Sequence, residues 1–162
     1  MNRTMKRYYL AYGSNLNIGQ MASRCPGARP VGTSSLPGYE LLFKGSKTGA
    51  YLTIEKAAGD YVPVAVWEVS PEDEAALDRY EGFPRFYYKK EVTLPMLGLT
   101  SGKLTKIDAF VYIMREERAP GLPSEHYLDI CLRGYLAFQF NPAALRYALK
   151  RTKELMHEKS KN

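Results

Sequence analysis

Few residues in this chain could hold a metal ion or serve as a partnered nucleophile. Its 162 residues include two cysteines, Cys25 and Cys131, and two histidines, His126 and His157. The cysteines form no CxxC pair and no zinc-ligand spacing, so neither a metal nor a cofactor is expected. Gly13-Ser14 lacks the G-x-S-x-G elbow of a serine hydrolase. Gly45-Ser46-Lys47-Thr48 has phosphate-loop residues without the G-x-x-x-x-G-K spacing. No apolar run approaches a membrane span and no segment reads as a leader. The expected setting is a reducing cytoplasm in which both cysteines are buried free thiols.

What is present is ordinary globular composition, with 45% apolar residues. The length favours a single domain over residues 1–162, large enough to bury its own core. Tyrosine is abundant at 13 residues, and its apolar plate with a hydroxyl tip suits the wall of a polar pocket as well as strands. Much of the net charge of +6 sits in the tail from Lys150 onward. That tail has no stacking platform and no base-reading motif, so no nucleic-acid or membrane partner is expected. A modest positive field would draw in an anionic substrate. Oligomeric state is open between monomer and homodimer.

The chain begins with an aromatic strand through Tyr12 that breaks at Gly13. Asn17 with Gln20 three residues on resembles a capping box, which predicts a short helix to about Arg24. Strands are predicted over residues 28–34, 39–44, 50–55 and 61–69, separated by turns at 36–38, 45–49 and 58–60. The run from Val62 to Trp67 is apolar on both sides and is expected to be buried on both faces. Ser70-Pro71-Glu72-Asp73 starts a helix that Gly82 stops. Residues 87–95 and 104–114 read as strands, residues 124–138 as a helix, and residues 141–158 as a basic C-terminal helix. The resulting class is α+β, a small mixed β-barrel or sheet with short flanking helices.

Two segments could carry chemistry. In Tyr12-Gly13-Ser14-Asn15-Leu16 a strand ends, and the N–H groups that follow could face an anion or oxyanion. The same spacing fits an ordinary turn capped by Ser14 or Asn17. In Leu77-Asp78-Arg79-Tyr80-Glu81-Gly82, Glu81 shares the face of Leu77 and sits at the negative end of the helix dipole. Burial and dipole would both raise its pKa toward the range useful for acid–base work. The same spacing also fits an exposed glutamate paired with Arg79 or Arg85.

With these two segments the chain resembles the γ-glutamylcyclotransferase family, whose signature is a YGSNL loop followed by a glutamate in an LDxxEG helix end. The likeness continues through Tyr88, seven residues after the glutamate, Val111-Tyr112-Ile113, and Pro123-Ser124 with Tyr127, Ile130 and Gly134, and so spans roughly residues 8–147. It departs at Val64, where family members often carry glycine in a V-x-G-x-V-Y strand. The resemblance implies that fold and an intramolecular reaction. The α-amine of a γ-glutamyl group attacks its own γ-carbonyl, 5-oxoproline forms, and the other amine leaves without cofactor or metal. It implies Glu81 as the acid–base group, with Tyr12, Gly13, Ser14, Asn15, Leu16, Tyr88 and Tyr112 around the substrate. The alternatives are a non-catalytic binder of small ligands on the same scaffold, which does not require Glu81, and a basic interaction protein working through its C-terminal helix.

Overall fold

The computed structural model describes residues 5–46 and 48–161. Lys47 of the rejected phosphate loop lies outside them. Five strands close a barrel: β1 (Arg7–Ala11), β2 (Arg29–Ser46), β3 (Gly49–Val69), β4 (Tyr87–Gly98) and β5 (Leu104–Met114). β1 runs antiparallel to β3, with Tyr9 opposite Trp67, and parallel to β5, with Tyr9 opposite Phe110. β5 pairs with β4, β4 with β2, and the β2–β3 hairpin completes the circuit. A short β6 (Ala119–Pro120) extends the other end of β2. Four helices flank the barrel: α1 (Ile18–Arg24), α2 (Pro71–Glu81), α3 (Glu125–Ala137) and α4 (Ala143–Ser160). This is the expected α+β class, with the sheet closed.

The middle of the chain departs from the four predicted strands. β2 ends at Ser46, which pairs with Gly49 at the start of β3, within the expected 45–49 break, but the other two breaks lie inside continuous strands. Pro37 pairs with Tyr61 and Tyr39 with Lys56, so the 36–38 and 58–60 segments face each other as an irregularity in one long hairpin. Gly38 and Gly59 take φ of 79° and 86° there, a conformation glycine adopts without steric cost. Val62, Val64, Ala65, Val66 and Trp67 are all buried, which fits the two-faced burial expected of that run. Val64, at the family's glycine position, is not among the residues lining the cavity described below.

Gly32 stands where the barrel closes. A Cβ there would lie 2.8 Å from the Leu97 carbonyl oxygen, so the glycine permits the close approach of β2 to β4. The C-terminal helix docks on the barrel. The Phe43 N–H donates to Thr152 Oγ1 at 3.0 Å in the interior, and Arg151 Nε lies 3.1 Å from Glu40. Cys25 and Cys131 are buried free thiols, and burial pushes them up to about 11 and about 12. No helix among the described residues is long and apolar enough to cross a membrane.

Candidate active site

The local sequence fixes where α2 starts and stops, and that places Glu81. The Ser70 hydroxyl accepts from the Asp73 N–H at 3.1 Å, and the Asp73 carboxylate accepts from the Ser70 N–H at 3.2 Å. Pro71 takes the first turn. At the other end Gly82 adopts φ 66°, and the Phe83 N–H closes on the Asp78 carbonyl at 2.9 Å. Leu77 is fully buried. Glu81 follows one turn later on the same face and borders a cavity of about 390 Å³.

The Glu81 carboxyl makes no hydrogen bond or ion pair with any described residue, neither Arg79 nor Arg85 included. Burial of the carboxyl among aromatic rings pushes its pKa up to about 8, while the nearby Arg24 charge pulls it down. A carboxyl so placed exchanges protons near neutral pH. Around it the hydroxyls of Tyr9, Tyr12, Tyr87 and Tyr127 are also raised by burial and stay protonated.

The loop after β1 forms the opposite wall. Residues Ser14–Leu16 make one 3₁₀ turn, closed by Leu16 N–H to Gly13 O and Asn17 N–H to Ser14 O, both 3.0 Å. The N–H groups of Gly13, Ser14 and Asn15 have no acceptor among the described residues. The first turn of a helix always leaves such donors, and here they border the cavity. Asn17 then caps α1 by accepting from the Gln20 N–H at 3.0 Å. The Gln20 side chain does not complete a capping box; it accepts from Arg24 Nη2 at 2.8 Å. Gly13 has φ −127°, so its glycine character serves proximity: a Cβ would sit 3.3 Å from both Tyr127 Oη and Leu52 Cβ.

Hydrogen bonds set the polarity of the tyrosine wall. Tyr12 donates to the Tyr112 carbonyl at 2.7 Å, Tyr112 to Asp78 Oδ1 at 2.6 Å, and Tyr87 to the Leu52 carbonyl at 2.9 Å. With these protons committed, the three phenol oxygens have acceptance left to offer. Behind Tyr112, Lys89 binds Asp78 at 2.9 Å and Glu74 at 2.6 Å, and Arg7 binds Glu74 at 2.7 Å. Tyr127 accepts from the Leu52 N–H at 3.0 Å, so both polar groups of residue 52 meet cavity phenols.

The fold therefore gathers Glu81, Tyr12, Gly13, Ser14, Asn15 and Tyr112 at one cavity. Two residues expected there lie elsewhere. Leu16 is core, packed where a Cβ on Gly134 of α3 would collide with it. Tyr88 does not line the cavity; its hydroxyl donates to Glu116 under the Arg115 guanidinium. Its neighbour Tyr87 lines the cavity instead, because successive strand residues point to opposite faces. Tyr9 and Tyr80 also line the cavity, and Arg24 supports it, although no local sequence signal marks the three. Arg24 Nη1 donates to Asn15 Oδ1, the Asn15 amide donates to Tyr9 Oη at 2.8 Å, and Ser14 Oγ lies 3.2 Å from Tyr80 Oη. Among the described residues no group of acids, cysteines and histidines could hold a metal ion.

A family model for gamma-glutamyl cyclotransferase, AIG2-like, matches residues 9–129, which contain every cavity residue named above. No curated protein sequence matches the chain. Among solved structures, one described as gamma-glutamyl cyclotransferase is similar at 26% identity and a TM-score of 0.69, covering 93% of this chain and 88% of that one. An uncharacterized human protein is similar at 26% identity and a TM-score of 0.68, with the same coverage of 93% and 88%. YkqA from Bacillus subtilis shares the fold at 19% identity and a TM-score of 0.69, with 93% of this chain covering 55% of that one.

Proposed function

The chain belongs to the gamma-glutamyl cyclotransferase, AIG2-like family, and from that premise we propose that it cyclises a γ-glutamyl amino acid, amide or peptide to 5-oxoproline with release of the amine. The observation that carries this reading is Glu81. Its carboxyl is unpaired, borders a cavity of about 390 Å³, and is raised to about 8. A protein that only binds its ligand has no need of a carboxyl tuned to exchange protons.

In the proposed reaction the Glu81 carboxylate takes a proton from the substrate's α-ammonium. The freed amine attacks the γ-carbonyl, forming the ring C–N bond. The protonated Glu81 then delivers that proton to the departing nitrogen as the original C–N bond breaks. The ring nitrogen sheds a second proton as it becomes the lactam N–H, and the released amine takes that proton up to leave as an ammonium, so the protons balance and no water is consumed. Holding the chain curled for attack lowers the entropic part of the barrier. The phenol oxygens of Tyr112 and Tyr87 suit the ammonium as acceptors, and the N–H groups of Gly13 to Asn15 suit the α-carboxylate or the developing oxyanion.

Incubation with a panel of γ-glutamyl compounds tests the reading by 5-oxoproline release. The expected result is product from the free amines and none from their N-acetyl counterparts. Release of glutamate, or product from an N-acetylated compound, would mean ordinary hydrolysis by water. Ligand binding without any product would favour the non-catalytic binder.

A further inference from the structure

Arg79 is the one permanent cation among the described residues that line the cavity. It lies in the last turn of α2 and is exposed. Its own helix gives it no partner, because the positions three and four residues before it are Ala76 and Ala75, and Gly82 and Phe83 follow at the same spacings. Its guanidinium forms no hydrogen bond or ion pair with a described residue. Arg7, Arg24 and Arg151, by contrast, are each held by side-chain oxygens. Glu81, the other ionisable lining group apart from the tyrosines, adds little negative charge at pH 7 because it is raised to about 8. The cavity thus has neutral N–H donors on the buried residues Ser14 and Asn15 and an uncompensated guanidinium on an exposed residue.

In the cyclisation the glutamyl part curls on itself, and the departing amine is the part that must extend toward solvent. If that amine is an α-amino acid, it carries a carboxylate on the carbon next to its nitrogen. An arginine fork matches a carboxylate in shape and charge. We propose that Arg79 is a specificity residue that pairs with the carboxylate of the leaving amine, so that the cavity favours γ-glutamyl α-amino acids over γ-glutamyl alkylamines. The assignment rests on the cyclisation proposed above.

The test compares γ-glutamylalanine with γ-glutamylethylamide, which differ only in that carboxylate. Kd is read by calorimetry in the Glu81→Gln background, where substrate is not consumed, and kcat/KM by 5-oxoproline release in the otherwise native chain. The dipeptide should bind roughly three- to tenfold more tightly at low salt, as for a solvent-accessible ion pair, and the ratio should shrink as salt is added. Arg79→Gln should bring the ratio close to one while leaving ethylamide binding unchanged, and Arg79→Lys should restore part of it. Equal binding of the two ligands to the native cavity, or equal weakening of both by Arg79→Gln, overturns the assignment. Discrimination without 5-oxoproline keeps the carboxylate subsite and removes the cyclase reading. Binding of neither ligand removes both.

Discussion

The Arg24 guanidinium lies 3.4 Å from the centre of the Tyr80 ring. From the same position it donates to Asn15 Oδ1. One side chain therefore joins the loop after β1 to the turn of α2 that carries Glu81, and it brings a positive charge close to that carboxyl.

Replacing Arg24 with methionine should raise the Glu81 pKa above its value of about 8, because the charge that favours the carboxylate is gone. The tyrosines that face Glu81 are neutral and do not compensate. If Glu81 acts first as a base, the rising limb of kcat/KM against pH moves upward by roughly one unit. Arg24→Lys keeps the charge without the fork and should leave the limb near the native position while lowering kcat. A methionine variant with an unmoved limb would reduce Arg24 to a scaffold residue.

Glu81→Gln should lower kcat by about 10²–10⁴-fold, the usual cost of losing general acid–base catalysis. It should also change how stability responds to pH. Folding raises this carboxyl from an ordinary 4.5 to about 8, so its contribution is complete below 4.5 and is lost as pH climbs through 8. Glutamine does not titrate. The variant should match the native protein near pH 4.5 and exceed it by roughly 2–3 kcal/mol near pH 9, after allowing for water reaching the carboxyl. Chemical denaturation at the two pH values reads this directly, and a constant difference would mean that Glu81 is not buried in the folded state.

Gly13→Val should damage turnover more than folding. The backbone there has φ −127°, so the substitution does not force a left-handed conformation. The new side chain would instead press on Tyr127 Oη and Leu52, each 3.3 Å from the Cβ position, and occupy cavity space. A fall in kcat of roughly 10²–10³ is expected, as for loss of an oxyanion donor. Gly19→Ala is the proper control, since its Cβ would meet nothing closer than Asn17 Oδ1 at 3.5 Å. Gly32→Val would be a misleading control, because it wedges apart the β2–β4 closure.

Truncation after Lys150 should leave kcat/KM close to native while the protein loses stability. The cut removes Thr152, whose hydroxyl is the interior acceptor for the Phe43 N–H. An orphaned buried donor costs about 1–3 kcal/mol, and apolar contacts of the last turns are lost as well. Denaturant midpoints measure the first effect and 5-oxoproline release the second. A folded truncation without activity would show that the tail helps build the cavity.

How much of this could be read in the sequence depended on how local the signal was. The α2 boundaries rest on Ser70, Pro71, Asp73 and Gly82, which act within a few residues of one another, and they are where the sequence placed them. The breaks at 36–38 and 58–60 use the same turn-forming residues, yet they lie opposite each other in a ladder. Only pairing register separates a matched irregularity from two turns, and register is not a local property. The same limit applies to Tyr87 and Tyr88: both read as strand tyrosines, and barrel closure decides which faces inward. Arg24 read as a basic residue at a helix end, because its ties to Asn15 and Tyr80 exist only once three elements meet.

Leu52 has a consequence for solubility. β2 covers one edge of β3 around this residue, whereas β1 reaches the other edge only from Ala65 to Val69. The Tyr127 and Tyr87 hydroxyls take the N–H and C=O of Leu52, which an exposed strand edge would offer to a neighbouring molecule. The two phenols therefore act as guards against edge-to-edge self-association. A Tyr87→Phe, Tyr127→Phe double variant keeps the rings and removes both guards. On heating it should aggregate sooner than its loss of folding stability alone accounts for, and light scattering followed alongside unfolding would separate the two.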